Sequence, residues 1–361
     1  MYSRLNAQEI QNLFGFRKQY CHFLILLLRG LCLCETVCLS RLSLYLGYTN
    51  QKSAYQRIRR FLSKIEFCQE TLAKLFIKVS GLETHSKWVV ILDRTYWMFG
   101  KTHLSFLYMT VCVGPICIPL FFNLLGPNKK GNSSFDERKQ LLDLLIKCFG
   151  KERILYLLGD REFIGEKWLN YLKDQGVPFS QRLREKSQLI TNAQGFLVKG
   201  NLLFQDLALG ESRSLGVRKI SRIGSLHLEV QGVRTLKGEL VIVAYHNVLD
   251  PLEAYKNRWA IEICFRSLKS NGFHIEDSHV TESKRIVCLL NIASLAYALV
   301  INIAQELETI KRRVLKKHGY YEKGLIRYAL DLIKPPLIRL FNKLLLKNEH
   351  LFPKTFLKLV G

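Results

Sequence analysis

At 361 residues the chain is long enough for two or three folding units of roughly 150 residues each. A hydrophobic content of 48%, with 11% aromatic residues, excludes a disordered or fibrous protein. Lys and Arg number 54 against 30 Asp and Glu, a formal charge of +24, which points to a polyanion such as nucleic acid ahead of a merely basic surface or anionic lipid headgroups.

Met1 to Lys18 mixes charged and amide residues where a secretory signal needs an apolar run, so the expected compartment is the cytoplasm. The ten cysteines include no CxxC pair and read as buried free thiols. Cys32, Cys34 and Cys38 are the nearest approach to a metal cluster, but without a second ligand pair at zinc-finger spacing they read as core packing. From Ala7 to about Leu82 apolar residues recur every three or four positions, which predicts a helical N-terminal region over 1–86. Within it, TNQKSAYQRIRRFLSK (49–64) carries Lys52, Arg57, Arg59, Arg60 and Lys64 on one predicted helix, with Thr49 or Asn50 as N-cap. Arg57 and Arg60 are candidate DNA contacts on this helix. A solvated basic face accounts for the same residues equally well.

The texture changes at Lys87. WVVILD (88–93) is a short apolar, β-branched run ending on an acid, as a buried central strand would be. LSFLYMTVCV (104–113) and ICIPLFFNLL (116–125) predict two more strands, joined by Gly114-Pro115 as an antiparallel hairpin. GPNKKGNSS reads as a loop, and Ser134 with Glu137 as a capping box opening the helix ERKQLLDLLIKCFG. ILYLLGD (154–160) is a fourth strand, again ending on an aspartate; a helix over about 166–175 and a fifth strand near 177–183 follow. Frequent glycines and alternating polarity over 187–248 predict an inserted antiparallel β unit.

Helical pattern returns at Pro251 and continues to the end. Residues 286–304 carry no charge over 19 positions, long enough to span a bilayer, but Asn291, Ser294 and Asn302 favour a helix buried in a large core, and no membrane partner is expected. The last 51 residues, 311–361, hold 13 Lys or Arg against three acids and form a basic helical C-terminal region.

Asp93 and Asp160 stand at the ends of two strands that a mixed sheet can set side by side. Carboxylates without His or Cys beside them suit hard cations, although aspartate at a strand end more often opens a turn. Further along, Tyr255, Arg258, Glu262, Arg266 and Lys269 are spaced 3, 4, 4 and 3, which on a continuous helix makes one stripe. A surface salt-bridge ladder explains that stripe as well as a functional one does. Glu162 points away from Asp160 if the fourth strand continues, and Asp136, Asp143 and Asp277 suit helix caps or surface positions. There is no HExxH or GxxxxGK[ST] motif, against a zinc hydrolase or an intrinsic ATPase.

WVVILDRTYW around Asp93, LLGDREFIG around Asp160, and Tyr255, Arg258, Glu262 and Lys269 in the order Y-x2-R-x3-E-x6-K together resemble the signature of bacterial DDE transposases of the insertion-sequence family called IS-four, over about residues 87–285. The resemblance implies an α/β fold: an RNase H-like mixed sheet whose two parts, 87–186 and 249–310, are separated by a β-rich insertion at 187–248 and flanked by helical terminal regions. It implies Asp93, Asp160 and Glu262 as a catalytic, metal-binding triad for two Mg²⁺ or Mn²⁺ ions. Tyr255, Arg258 and Lys269 would meet transposon-end phosphates, with Arg266 on the same helix. Double-stranded DNA, both element ends and target, is the implied partner, bound by a homodimer in a synaptic complex. The implied activity is cut-and-paste transposition, with a catalytically inert DNA-binding regulator as the alternative. Some similar proteins hold a flipped base with a tryptophan in the β insertion; here the four tryptophans (88, 97, 168, 259) lie outside it, which leaves the hairpin step of that route unsupported.

Overall fold

The computed structural model describes residues 5–99, 102–126, 132–221, 226–317 and 319–346. Residues 127–131 of the expected loop and 347–361 of the basic C-terminal region lie outside the described residues.

The N-terminal region folds as read, into helices α1 (Ala7–Phe14), α2 (Lys18–Cys34), α3 (Leu39–Leu44), α4 (Gln51–Lys64) and α5 (Gln69–Ser80). Asn50 caps α4, its side chain accepting from the Ser53 amide, which answers one of the amides that a helix start leaves unpaired. The periodicity of α4 turns Ala54, Ile58, Phe61 and Leu62 inward and leaves Lys52, Arg57, Arg59, Arg60 and Lys64 exposed.

Three strands follow: β1 (Trp88–Phe99), β2 (Thr102–Val113) and β3 (Ile116–Leu125). β2 and β3 pair antiparallel through the turn at Gly114. Their register sets Cys112 against Cys117, which are joined as a disulfide. The reading of every cysteine as a buried free thiol is corrected for these two, because pairing across a hairpin is invisible in the local run, and for Cys68, which is free but exposed ahead of α5. Ser134 and Glu137 form the expected capping box of α6 (Phe135–Phe149), which packs on β3 and on α7 (Glu166–Asp174). Between these helices runs β4 (Ile154–Gly159), and after them β5 (Phe179–Arg182).

The segment expected as a β insertion forms β6 (Leu189–Thr191), β7 (Leu197–Lys199), β8 (Ser212–Lys219), β9 (His227–Arg234) and β10 (Leu240–His246). β6 and β7 pair with each other, but β8, β9 and β10 do not make a sheet of their own. β10 pairs antiparallel with β5, so the segment lengthens the main sheet to eight strands in the order β3-β2-β1-β4-β5-β10-β9-β8. The reason is local to β10: Ile242, Val243 and Ala244 are fully buried, and an apolar strand of this kind satisfies both its backbone and its side chains by covering the open edge of β5.

The chain closes with α8 (Pro251–Lys256), α9 (Trp259–Lys269), α10 (Ser283–Ile310) and α11 (Leu325–Leu346). By length and composition α10 is apolar enough to cross a membrane, yet 78% of its apolar window is buried, against α2, α4, α5 and α11. It is the core helix of a helical unit. That unit comprises 1–83, 97–104 and 264–361, and the sheet unit comprises 84–96 and 105–263.

Candidate active site

Asp93 and Asp160 are gathered by strand pairing within the sheet unit. β1 and β4 run parallel, their ladder ends at Leu92 opposite Gly159, and the next residue on each is the aspartate. The expectation that the first strand ends on Asp93 is corrected, because β1 runs on to Phe99 and only its pairing with β4 stops there. Glycine precedes Asp160 for a steric reason: a Cβ at 159 would run into the Gln181 side chain and stand 3.1 Å from the Phe163 Cβ.

Glu262 comes to the same place from α9. Arg258 joins it there, its Nη1 donating to Asp93 Oδ2 at 3.2 Å and its Nη2 donating to Glu262 Oε1. One guanidinium therefore bridges carboxylates 169 positions apart in the chain. The group is sheltered, with side-chain exposures of 15% for Arg258, 17% for Asp93 and 30% for Glu262. The second Asp93 oxygen accepts from the Arg94 amide at 2.8 Å.

Burial dominates the electrostatics of Asp93. It pushes the carboxyl up to about 6; Arg258 and the Arg94 amide pull down, while Asp160 and Glu162 push further up. Burial likewise opposes the charge on Arg258, but Tyr255, Asp93, Glu262 and Asp160 together outweigh it and hold the guanidinium more firmly protonated than usual.

The expected single stripe is interrupted. The helix breaks between α8 and α9 at Asn257 and Arg258, where Arg258 N–H bonds to Tyr255 O at 3.0 Å in a tightened turn. The Asn257 amide anchors that turn on the Tyr156 hydroxyl at 3.0 Å. Glu262, Arg266 and Lys269 share α9, whereas Tyr255 and Arg258 stand outside it. Tyr255 is only 9% exposed, packed with Val243 and Tyr245, and burial pushes its phenol up to about 12 with Asp160 and Arg182 nearby. In the helical unit, Arg266 is exposed and Lys269 half-buried with its Nζ 6.0 Å from the centre of the Trp97 ring; burial lowers the Lys269 pKa. Arg57 lies 4.9 Å over the Tyr48 ring, and Arg60 is exposed.

Glu162 corrects an expectation. The strand stops at Gly159 and a 3-10 turn, Arg161–Phe163, carries Glu162 back towards the site. Arg94 Nε holds its carboxylate at 3.2 Å, and burial raises its pKa against the pull of Arg94 and Arg138. The signal was present as an Asp-Arg pair after each apolar run, Asp93-Arg94 and Asp160-Arg161, but which way each arginine reaches is a tertiary matter. Beside Asp160 opens a cavity of about 450 Å³, lined by Asn132, Arg161, Arg184, Glu185 and Lys186 among others.

Among the described residues, no group of three or more His, Cys, Asp and Glu stands close enough to hold a metal ion. The donor chemistry nevertheless fits one. Asp93 and Glu262 are hard carboxylates, Asp93 is disfavoured as an anion by burial and by its acidic neighbours, and the space between the two already holds a cation, that of Arg258.

The mixed sheet, with helices packed on it, is consistent with an RNase H-like transposase fold. Residues 131–299, just under half of the chain, match the family described as Transposase DDE domain. That stretch includes Asp160, Arg258 and Glu262 and begins after Asp93. It supports a transposase-type function in general, and with it an association with DNA. A search of curated proteins finds no match to the chain.

Proposed function

We propose that the protein is a DDE transposase, similar to those of the IS-four family, that cleaves DNA at the ends of a mobile element and joins the freed ends to target DNA. The observation that carries this reading is the pair of aspartates just past the end of the parallel β1–β4 ladder, Asp93 within β1 and Asp160 directly after β4, with Glu262 tied to Asp93 through Arg258. Asp93, Asp160 and Glu262 would hold Mg²⁺ or Mn²⁺, two ions in all. Such ions, once bound, make water nucleophilic at neutral pH and stabilise the charge of a leaving oxygen.

The chain's own residues supply the rest. Burial of Asp93 and Arg258 excludes bulk water and strengthens each charge interaction in the site. Arg258 offers a planar fork for a phosphate and Lys269 a point charge. Arg266, Arg57 and Arg60 add exposed positive charge for the DNA backbone. Two copies on two element ends would make the synaptic complex.

The experiment is nicking of a duplex that carries the inverted repeats flanking the coding region. Wild type should nick it with Mg²⁺ or Mn²⁺, and EDTA should abolish the nick while leaving protein–DNA binding measurable. A protein that binds the duplex and never cuts it under any divalent ion is instead an inert DNA-binding regulator. Binding should also weaken steeply with salt. Replacing Arg57 and Arg60 by alanine should reduce the slope of log K against log salt by about two, at about 0.9 per lost phosphate contact; an unchanged slope in a fluorescence anisotropy titration removes α4 from the interface.

A further inference from the structure

We propose that Arg258 is a latch that couples DNA binding to metal binding: in the DNA-free protein its guanidinium bridges Asp93 and Glu262 and keeps divalent ions off them, and a DNA phosphate draws it away. The inference rests on the transposase reading above and adds the regulation of that site.

The geometry sets up a direct competition. Arg258 donates one N–H to Asp93 Oδ2 and another to Glu262 Oε1, so it occupies an oxygen of each carboxylate that a hard cation would need. The remaining Asp93 oxygen already accepts from the Arg94 amide. Glu162, an acid outside the triad whose charge acts on Asp93, is itself held by Arg94 at 3.2 Å. A divalent ion that takes Asp93 Oδ2 and Glu262 Oε1 together must therefore displace Arg258.

Leaving is costly without a new partner. Arg258 is 15% exposed, and a sheltered charge stripped of its counter-charges pays its desolvation with nothing in return. A phosphate oxygen pair matches the same planar fork, and so it compensates the guanidinium for both carboxylates at once. Because Arg258 sits in the turn between α8 and α9, its side chain can change partners by rotation while α9 and Glu262 remain in place. Coupling of this kind is reciprocal, so a divalent ion must also tighten DNA binding by the same factor. The consequence is a site that holds its ions about tenfold more tightly on DNA than off it.

The test measures Mn²⁺ affinity of the full chain without DNA, from the free Mn²⁺ signal in electron paramagnetic resonance. Arg258→Gln should bind Mn²⁺ about tenfold more tightly than wild type, a typical allosteric coupling. Arg258→Lys, which keeps a charge but cannot bridge both carboxylates, should shift in the same direction by less, and serves if the glutamine variant is misfolded by circular dichroism. A merely structural arginine gives the opposite sign, since its loss loosens the site. In the reciprocal arm, Ca²⁺ should raise wild-type affinity for the inverted-repeat duplex in anisotropy, and Arg258→Gln should lose that gain. Equal or weaker Mn²⁺ binding by both variants, in a preparation whose wild type nicks DNA, overturns the latch and leaves the transposase reading intact. A wild type that binds no Mn²⁺ with or without DNA overturns both.

Discussion

Glu262→Gln should lower Mg²⁺-dependent nicking of the inverted-repeat duplex by about three orders of magnitude. The substitution keeps the shape of the side chain and removes one charged oxygen ligand, and the several kcal/mol that a divalent ion contributes to phosphodiester cleavage correspond to roughly tenfold per 1.4 kcal/mol. Duplex affinity should stay within about threefold of wild type, because Arg258 loses one carboxylate partner and retains Asp93. Single-turnover nicking at saturating protein separates the two quantities. Cleavage at the wild-type rate would take Glu262 out of the active site.

Asp93→Asn should make the metal-free protein more stable at neutral pH while abolishing cleavage. Burial, opposed by Arg258, raises the Asp93 carboxyl from an ordinary 3.8 to about 6. The folded chain then holds this proton more tightly than the unfolded chain does. The stability tied to it is fully present below about pH 4 and is lost as pH rises through about 6. A difference of about two units is worth about 3 kcal/mol at 1.36 kcal/mol per unit. Urea denaturation in EDTA across this pH range should show wild type losing stability on the way up, and Asp93→Asn lacking that slope. An Asn variant less stable than wild type at pH 7.5 would mean that the Arg258 bond outweighs burial.

Several features of the site were legible before folding was considered. Asp93 and Asp160 follow short apolar runs, the first rich in β-branched residues, and the length of those runs alone predicts strands there. Ser134 with Glu137 announces its helix because a capping box is a contact across three residues. Thr49 or Asn50 does the same for α4, and the structure gives the cap to Asn50. The continuous stripe from Tyr255 to Lys269 was not legible correctly: helical spacing assumes an unbroken helix, and the Asn257–Tyr156 bond that pins the break comes from a strand about a hundred positions earlier. Glu162 points away from Asp160 only on a continuing strand, and the 3-10 turn at Arg161–Phe163 that ends the strand is not marked in the local sequence.

By itself the amino-acid order determined most of the helices and strands, the capping box of α6 and the apolar runs that lead to Asp93 and Asp160, because those follow from interactions between residues a few positions apart. Only the tertiary structure decided that β10 would close on β5, that Cys112 would meet Cys117, and that one arginine would stand between Asp93 and Glu262. Each of those is a pairing between groups whose local sequences carry no record of the partner. Desolvation and charge settle them once the sheet has brought the chain together.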